Sequence, residues 1–219
     1  MYGYVKVGSA VPKLRVADCV YNKEEILKLV EAAAAKQVRV LSFPELSVTG
    51  YTCADLFFQT PLLHAAEQAI QEIAEATEAL NIFLLIGAPI AVDNQMFNCA
   101  VALYKGKLLG IVPKTHIPNY SEFYEERWFA SADDLLTEEI TYAGQNVPIG
   151  ADLIFAAADF PALKIGVEIC EDLWVPIPPS SYLSLYGATL LLNLSASNEL
   201  ASKPGYRRQL VSQQSARCL

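Results

Sequence analysis

Three side chains of different chemistry each stand at or just beyond the end of a strand-like run. Glu45 follows "VLSF" in "VLSFPELSVTGY", Lys114 follows "GIVP" in "GIVPKTHIPNYSEFYEERWF", and Cys170 ends the run in "KIGVEICEDLW". In parallel α/β sheets ligands are held beyond the carboxyl ends of the strands, so these are equivalent topological positions. Acyl transfer by a thiol needs a proton acceptor and something to stabilise the oxyanion that forms. Glu45 is a candidate acceptor and Lys114 a candidate cation. Each also has a plainer reading, as a capping acid, a solvated lysine and a core thiol. Glu168, Glu171 and Asp172 surround Cys170 with carboxylates that disfavour the thiolate, and Lys114 would offset them. Histidine is the usual partner of a thiol, but His64 lies in a helical pattern and reads as structural. His116, two residues past Lys114, leaves a Cys–His dyad as a weaker alternative.

These positions depend on the elements that carry them. Short strand candidates alternate with helical patterns, as in an α/β fold. "YVKVGSAVP" opens as a strand. "NKEEILKLVEAAAAKQ" reads as a helix with Asn22 as N-cap and Glu25 three residues on. "VRVLSF" reads as a buried strand, and Pro61 starts the helix "PLLHAAEQAIQEIAEATEAL". "IFLLIGAPI" is strand-like, and "MFNCAVALYKGKLLGIVPK" resembles a hairpin around Lys105-Gly106, which makes the sheet mixed. "DLIFAAADF", "ALKIGVEIC" and "ATLLLNLSAS" add strands; "SYLSLYG" is a short helix closed by Gly187, and "KPGYRRQLVSQQSARCL" a final helix. There is no repeat or linker, so residues 1–219 read as one domain.

Composition narrows the function classes. The 219 residues are 53% apolar and 18% charged, which fits a compact globular chain. A formal net charge of -8 disfavours nucleic acid or an anionic membrane as main partner. The N-terminal stretch does not read as a signal peptide, and no apolar run reaches the roughly 18 residues that span a bilayer. Five scattered cysteines (19, 53, 99, 170 and 218) without a CxxC pair fit reduced thiols in a cytoplasmic protein, and none has metal-ligand spacing with a histidine.

"FPELSVTGY", "PKTHIPNYSEFYEERWF" and "GVEICEDLW" resemble the three signature segments of the nitrilase (carbon–nitrogen hydrolase) superfamily. The wording "TGYTCADLF", "CEDLWVPIPPS" and "NLSASNE" is similar to the N-terminal glutaminase domain of glutamine-dependent NAD synthetases. The resemblance implies an αββα sandwich with mixed β-sheets. It implies Cys170 as nucleophile on the glutamine side-chain amide, Glu45 as general base and Lys114 as the group stabilising the tetrahedral intermediate. Glu125 would orient the substrate or Lys114. Tyr51, Tyr120, Phe123, Glu171 and Ser197 would line the glutamine pocket, with Glu171 on the α-ammonium. No metal and no cofactor is implied for the glutaminase half-reaction; ATP and Mg belong to a synthetase domain that would use the ammonia to convert deamido-NAD to NAD. No Gly-Ser-rich phosphate loop of that domain occurs here, so the chain is expected to be a glutaminase domain incomplete at its C-terminus, partnered by a synthetase domain and by copies of itself. A free-standing amidase acting on another amide or carbamoyl substrate, and a non-catalytic scaffold, are the alternatives. Glu168 and Asp172 are expected to be structural.

Overall fold

The computed structural model describes residues 3–218; Met1, Tyr2 and Leu219, at the ends of the expected 1–219 domain, lie outside the described residues. Five strands form one sheet: β1 (Val7–Ser9), β2 (Val40–Ser42), β3 (Phe83–Val92), β4 (Gln95–Tyr104) and β5 (Lys107–Pro113), in that spatial order. β1, β2 and β3 run parallel, while β3, β4 and β5 form antiparallel hairpins. β6 (Glu139–Tyr142) and β7 (Gln145–Pro148) make a separate hairpin. β8 (Ile154–Ala156), β9 (Lys164–Ile169) and β10 (Leu190–Leu194) form a second mixed sheet in the order β10-β9-β8. The helices are α1 (Cys19–Ala35), α2 (Thr60–Ala76), α3 (Pro179–Leu185) and α4 (Lys203–Arg217).

Alternation along the strands shows how the layers stack. On β3, Leu84 and Ile86 join a core with Ile26, Val30, Ile70 and Ile73 of α1 and α2. Their neighbours Phe83 and Leu85 point the other way, into a core with Ile165, Val167 and Ile169 of β9. Both faces of β3 are therefore covered, and nine of its ten residues are buried, Ala91 being the exception. On the far side of the second sheet, α3 covers β9, and Gln214 of α4 donates to the hydroxyls of Ser180 and Ser181 at 2.9 and 3.0 Å. Helices outside and two mixed sheets within make the expected αββα sandwich. Each large apolar side chain that it buries contributes about 1.5–3 kcal/mol.

Two local details differ from expectation. Helix α1 is capped by Asp18, whose carboxylate accepts from the Tyr21 N–H at 3.0 Å, and not by Asn22. Asn22 is fully buried instead. Its side chain bonds the Arg15 N–H and C=O, both at 2.8 Å, and the Val48 C=O at 2.9 Å, which ties α1 to the turn holding Glu45. The β6–β7 hairpin has no counterpart among the elements expected from sequence, because its turn, Ala143-Gly144, is a weak turn signal. Both residues have positive φ (50° and 72°), like Lys105-Gly106 (50° and 77°).

Candidate active site

Glu45 sits in a tight turn directly after β2 and is 2% exposed. The turn is pressed onto β3 at Gly87. The Gly87 C=O accepts the Val48 N–H at 3.1 Å, and its N–H donates to Ser47 Oγ at 3.3 Å. A Cβ at Gly87 would lie 2.3 Å from the Leu46 nitrogen and 2.6 Å from the Pro44 oxygen, so only glycine admits this approach.

Lys114, the residue after β5, is fully buried, and its ammonium lies between two carboxylates. Nζ donates to Glu45 Oε1 at 2.7 Å and to both oxygens of Glu125 at 2.9 Å. Burial alone would push the ammonium pKa down; Glu45 and Glu125 more than offset it, holding the pKa above its ordinary value and the lysine charged. Glu125, on a short turn of 3-10 helix, is pushed up by burial, with Lys114 opposing. Tyr51 OH donates to Glu125 Oε1 at 2.7 Å; burial and then Glu125 raise its pKa, which keeps the phenol a donor.

Cys170 begins another turn of 3-10 helix directly after β9, and is 4% exposed. Its φ is +46°, a left-handed conformation costing a non-glycine residue of order 1–3 kcal/mol. In α/β-hydrolase folds a nucleophile is placed at such a sharp strand-to-helix turn. Burial and then the Glu45 carboxylate push the thiol up to about 12, while Lys114 and a hydrogen bond from Ser195 oppose them. At neutral pH the thiol is protonated and needs a base to react. Ser195 Oγ, 3.3 Å from Cys170 Sγ, is the side chain bonded to the sulfur, and no imidazole takes that place.

The structure thus brings Glu45, Lys114, Glu125 and Tyr51 into one hydrogen-bonded network, with Cys170 under its charges. Tyr120 OH donates to both oxygens of Glu171 at 3.0 Å, and the Phe123 ring packs edge-on against Tyr120, with centroids 5.7 Å apart. Ser197 enters through its backbone, its N–H donating to Ser195 Oγ at 3.3 Å. A cavity of about 1170 Å³ borders this corner through Tyr120 and Glu171; Glu45, Lys114 and Cys170 lie deeper and do not line it. His64 is exposed on α2, and the His116 N–H is taken by Asp172. Cys53 is buried with the helix-side core and donates to the Thr49 C=O at 3.2 Å.

Three participants were not singled out from sequence. Asn98, fully buried in β4, donates from Nδ2 to Glu45 Oε1 at 2.7 Å and to Glu125 Oε2 at 3.5 Å, while its Oδ1 has no partner. An asparagine within the apolar run "MFNCAVAL" is the signal that could have found it, because a buried amide needs partners. Ala196 N–H donates to Glu45 Oε2 at 2.9 Å, and no side-chain pattern could reveal this backbone contact. Ser195 lies in "NLSASNE", two residues before Ser197. Glu168 accepts the Ser180 N–H at 3.0 Å and holds α3 to β9. Among the described residues no group of three or more His, Cys, Asp or Glu side chains could hold a metal ion. No helix among them is long and apolar enough to cross a membrane.

The profile of the family described as carbon-nitrogen hydrolase matches residues 7–218. Glutamine-dependent NAD(+) synthetase of Mycobacterium tuberculosis is 38% identical over 218 residues, covering 100% of this chain and 32% of that protein. The human protein of the same name is 30% identical, covering 91% and 30%. The crystal structure of a glutamine-dependent NAD(+) synthetase from Cytophaga hutchinsonii superposes with a TM-score of 0.86 at 30% identity, over 98% of this chain and 34% of that one. An amidase from Nesterenkonia superposes with a TM-score of 0.73 at 17% identity, over 96% and 71%, a likeness of fold. The chain spans about a third of the length of the curated relatives named here.

Proposed function

This chain belongs to the carbon–nitrogen hydrolase family, and within that family's chemistry we propose that it hydrolyses the side-chain amide of glutamine through a thioester on Cys170. The observation that carries the reading is the buried Glu45–Lys114 pair, 2.7 Å apart, acting on a thiol that is protonated at rest. Glu45 takes the thiol proton as Sγ attacks the amide carbon. Lys114 spends two of its contacts on one carboxylate, Glu125, so one N–H can turn to the new oxyanion without unpairing either glutamate. The C–N bond breaks as Glu45 passes its proton to the leaving ammonia. Water, activated by Glu45, then attacks the thioester; the C–S bond breaks, glutamate leaves, and the proton returns to sulfur. Glu171, oriented by Tyr120, meets the substrate ammonium, with Phe123 and Tyr51 as walls and Ser197 beside them.

In a longer protein the ammonia would feed amidation of deamido-NAD by a synthetase segment, which is where ATP and Mg would act; the hydrolytic half-reaction proposed here calls on neither. The similarity to NAD synthetases over the whole chain favours glutamine over other amides. The test is intact mass after incubation with a glutamine-like diazoketone, beside release of glutamate from glutamine. One adduct on Cys170, absent in Cys170→Ala, is expected. A clear preference for another ω-amide or a carbamoyl compound in a substrate panel overturns the glutamine assignment, and an unlabelled but folded chain overturns the nucleophile.

A further inference from the structure

Asp172 is 1% exposed, and its two carboxylate oxygens serve different segments, one beyond β5 and the other at the end of β9. Oδ1 accepts the N–H groups of Thr115 and His116, at 3.2 and 2.7 Å, in the segment immediately after Lys114. Oδ2 accepts the N–H of Ile169, at 2.9 Å, the residue immediately before Cys170. The lysine segment leaves the five-stranded sheet and the cysteine turn leaves the three-stranded sheet, so this one carboxylate spans the two layers at the site. We infer that Asp172 is a positioning residue, which sets the distance between the Lys114 ammonium and the Cys170 thiol by holding the backbones beside both. The inference rests on Cys170 being the nucleophile.

Substitution by the isosteric amide separates positioning from charge, because the two predict opposite signs. Removing a carboxylate near the thiol favours the thiolate by charge alone and would speed alkylation. Asparagine, however, offers one acceptor oxygen and one donor nitrogen. Whichever loop faces Nδ2 meets a donor with its own N–H and must move. A shift of about 1 Å between reacting groups costs on the order of 10²-fold in rate.

The experiment is the rate of Cys170 labelling by the glutamine-like diazoketone, resolved into a maximal rate and a half-saturating concentration and counted per folded molecule. For Asp172→Asn the maximal rate is expected to fall about 10²-fold, with half-saturation essentially unchanged because Tyr120 and Glu171 remain in place. Asp172→Glu keeps the charge but lengthens the reach, and it should also be slow; a purely electrostatic role would leave it at the wild-type rate. Labelling of Asp172→Asn at or above the wild-type rate overturns the inference. Cys170→Ala distinguishes the two failures: label incorporated there refutes the nucleophile, whereas an inert Cys170→Ala beside a fast Asp172→Asn refutes only the positioning role. If neither Asp172 variant folds, amide exchange in the wild-type chain decides. Strong protection of Thr115, His116 and Ile169 is expected, and exchange of His116 and Ile169 at unprotected rates removes the clamp.

Discussion

Gly87→Ala should disable the base without touching it. The new Cβ would fall 2.3, 2.6 and 2.8 Å from the Leu46 nitrogen, the Pro44 oxygen and the Glu45 carbonyl carbon, all backbone atoms of one turn. Ordinary contact begins near 3.4 Å, so the closest approach is about 1.1 Å short. β3 is bonded to β2 on one side and β4 on the other and cannot retreat, so the turn has to move. Overpacking of this kind costs about 1–3 kcal/mol. Loss of the Val48 and Ser47 hydrogen bonds to Gly87 adds about 1 kcal/mol each. A total of about 3–5 kcal/mol is a large part of the roughly 5–15 kcal/mol that holds a domain folded. In the molecules that do fold, Glu45 shifts by about 1 Å against partners now at 2.7, 2.7 and 2.9 Å (Lys114, Asn98 and Ala196), and the rate should fall on the order of 10²-fold. Denaturant unfolding and Cys170 labelling of the same sample measure both effects. Gly205→Ala in α4 is the control, since its Cβ meets nothing within 4 Å. If Gly87→Ala matched the wild type in stability and labelling rate, the account of how Glu45 is held would be wrong.

Other consequences follow from the buried charges. Lys114→Met strands two buried carboxylates, and about 3–5 kcal/mol of stability should be lost, with Cys170 labelling abolished; a urea midpoint within experimental error of wild type would contradict the shared ion pair. Burial raises Asp172 to about 7, and raises Glu125 and Glu168 as well. Raised carboxylates lend stability that is full below their ordinary range near 4 and is lost as pH rises through the folded value. The chain should therefore resist urea better at pH 5.5 than at pH 8, and Asp172→Asn should narrow that difference. A midpoint that rises with pH over this interval, in both proteins alike, would count against these burial costs.

The positions of Glu45, Lys114 and Cys170 were legible because each stands at or just beyond the end of an apolar strand run. The order of strands and helices pointed to an α/β fold, the αββα sandwich being implied by the family resemblance. What stayed hidden depended on distance in the chain. Ala196 reaches Glu45 through a backbone amide 151 residues away, so its side chain carries no trace of the role. Asp18 and Asn22 are both good caps four residues apart, and only the fold shows that Asn22 is needed to hold the Glu45 turn. Asp172 reads as one more acid beside the thiol; its two-loop contact exists only once the sheets are docked.

The division of the site between the sheets has a further consequence for the folding chain. Glu45, Asn98 and Lys114 come from one layer, and Cys170, Ser195 and Ala196 from the other, with the apolar face of β9 between them and alignment. Either layer alone has an ordinary thiol or an idle acid–lysine pair. On the proposed mechanism the site is a coincidence detector: both halves must be seated before thiol, carboxylate and lysine meet. By the same mechanism, labelling of Cys170 by the glutamine-like diazoketone would report that sheet docking is complete.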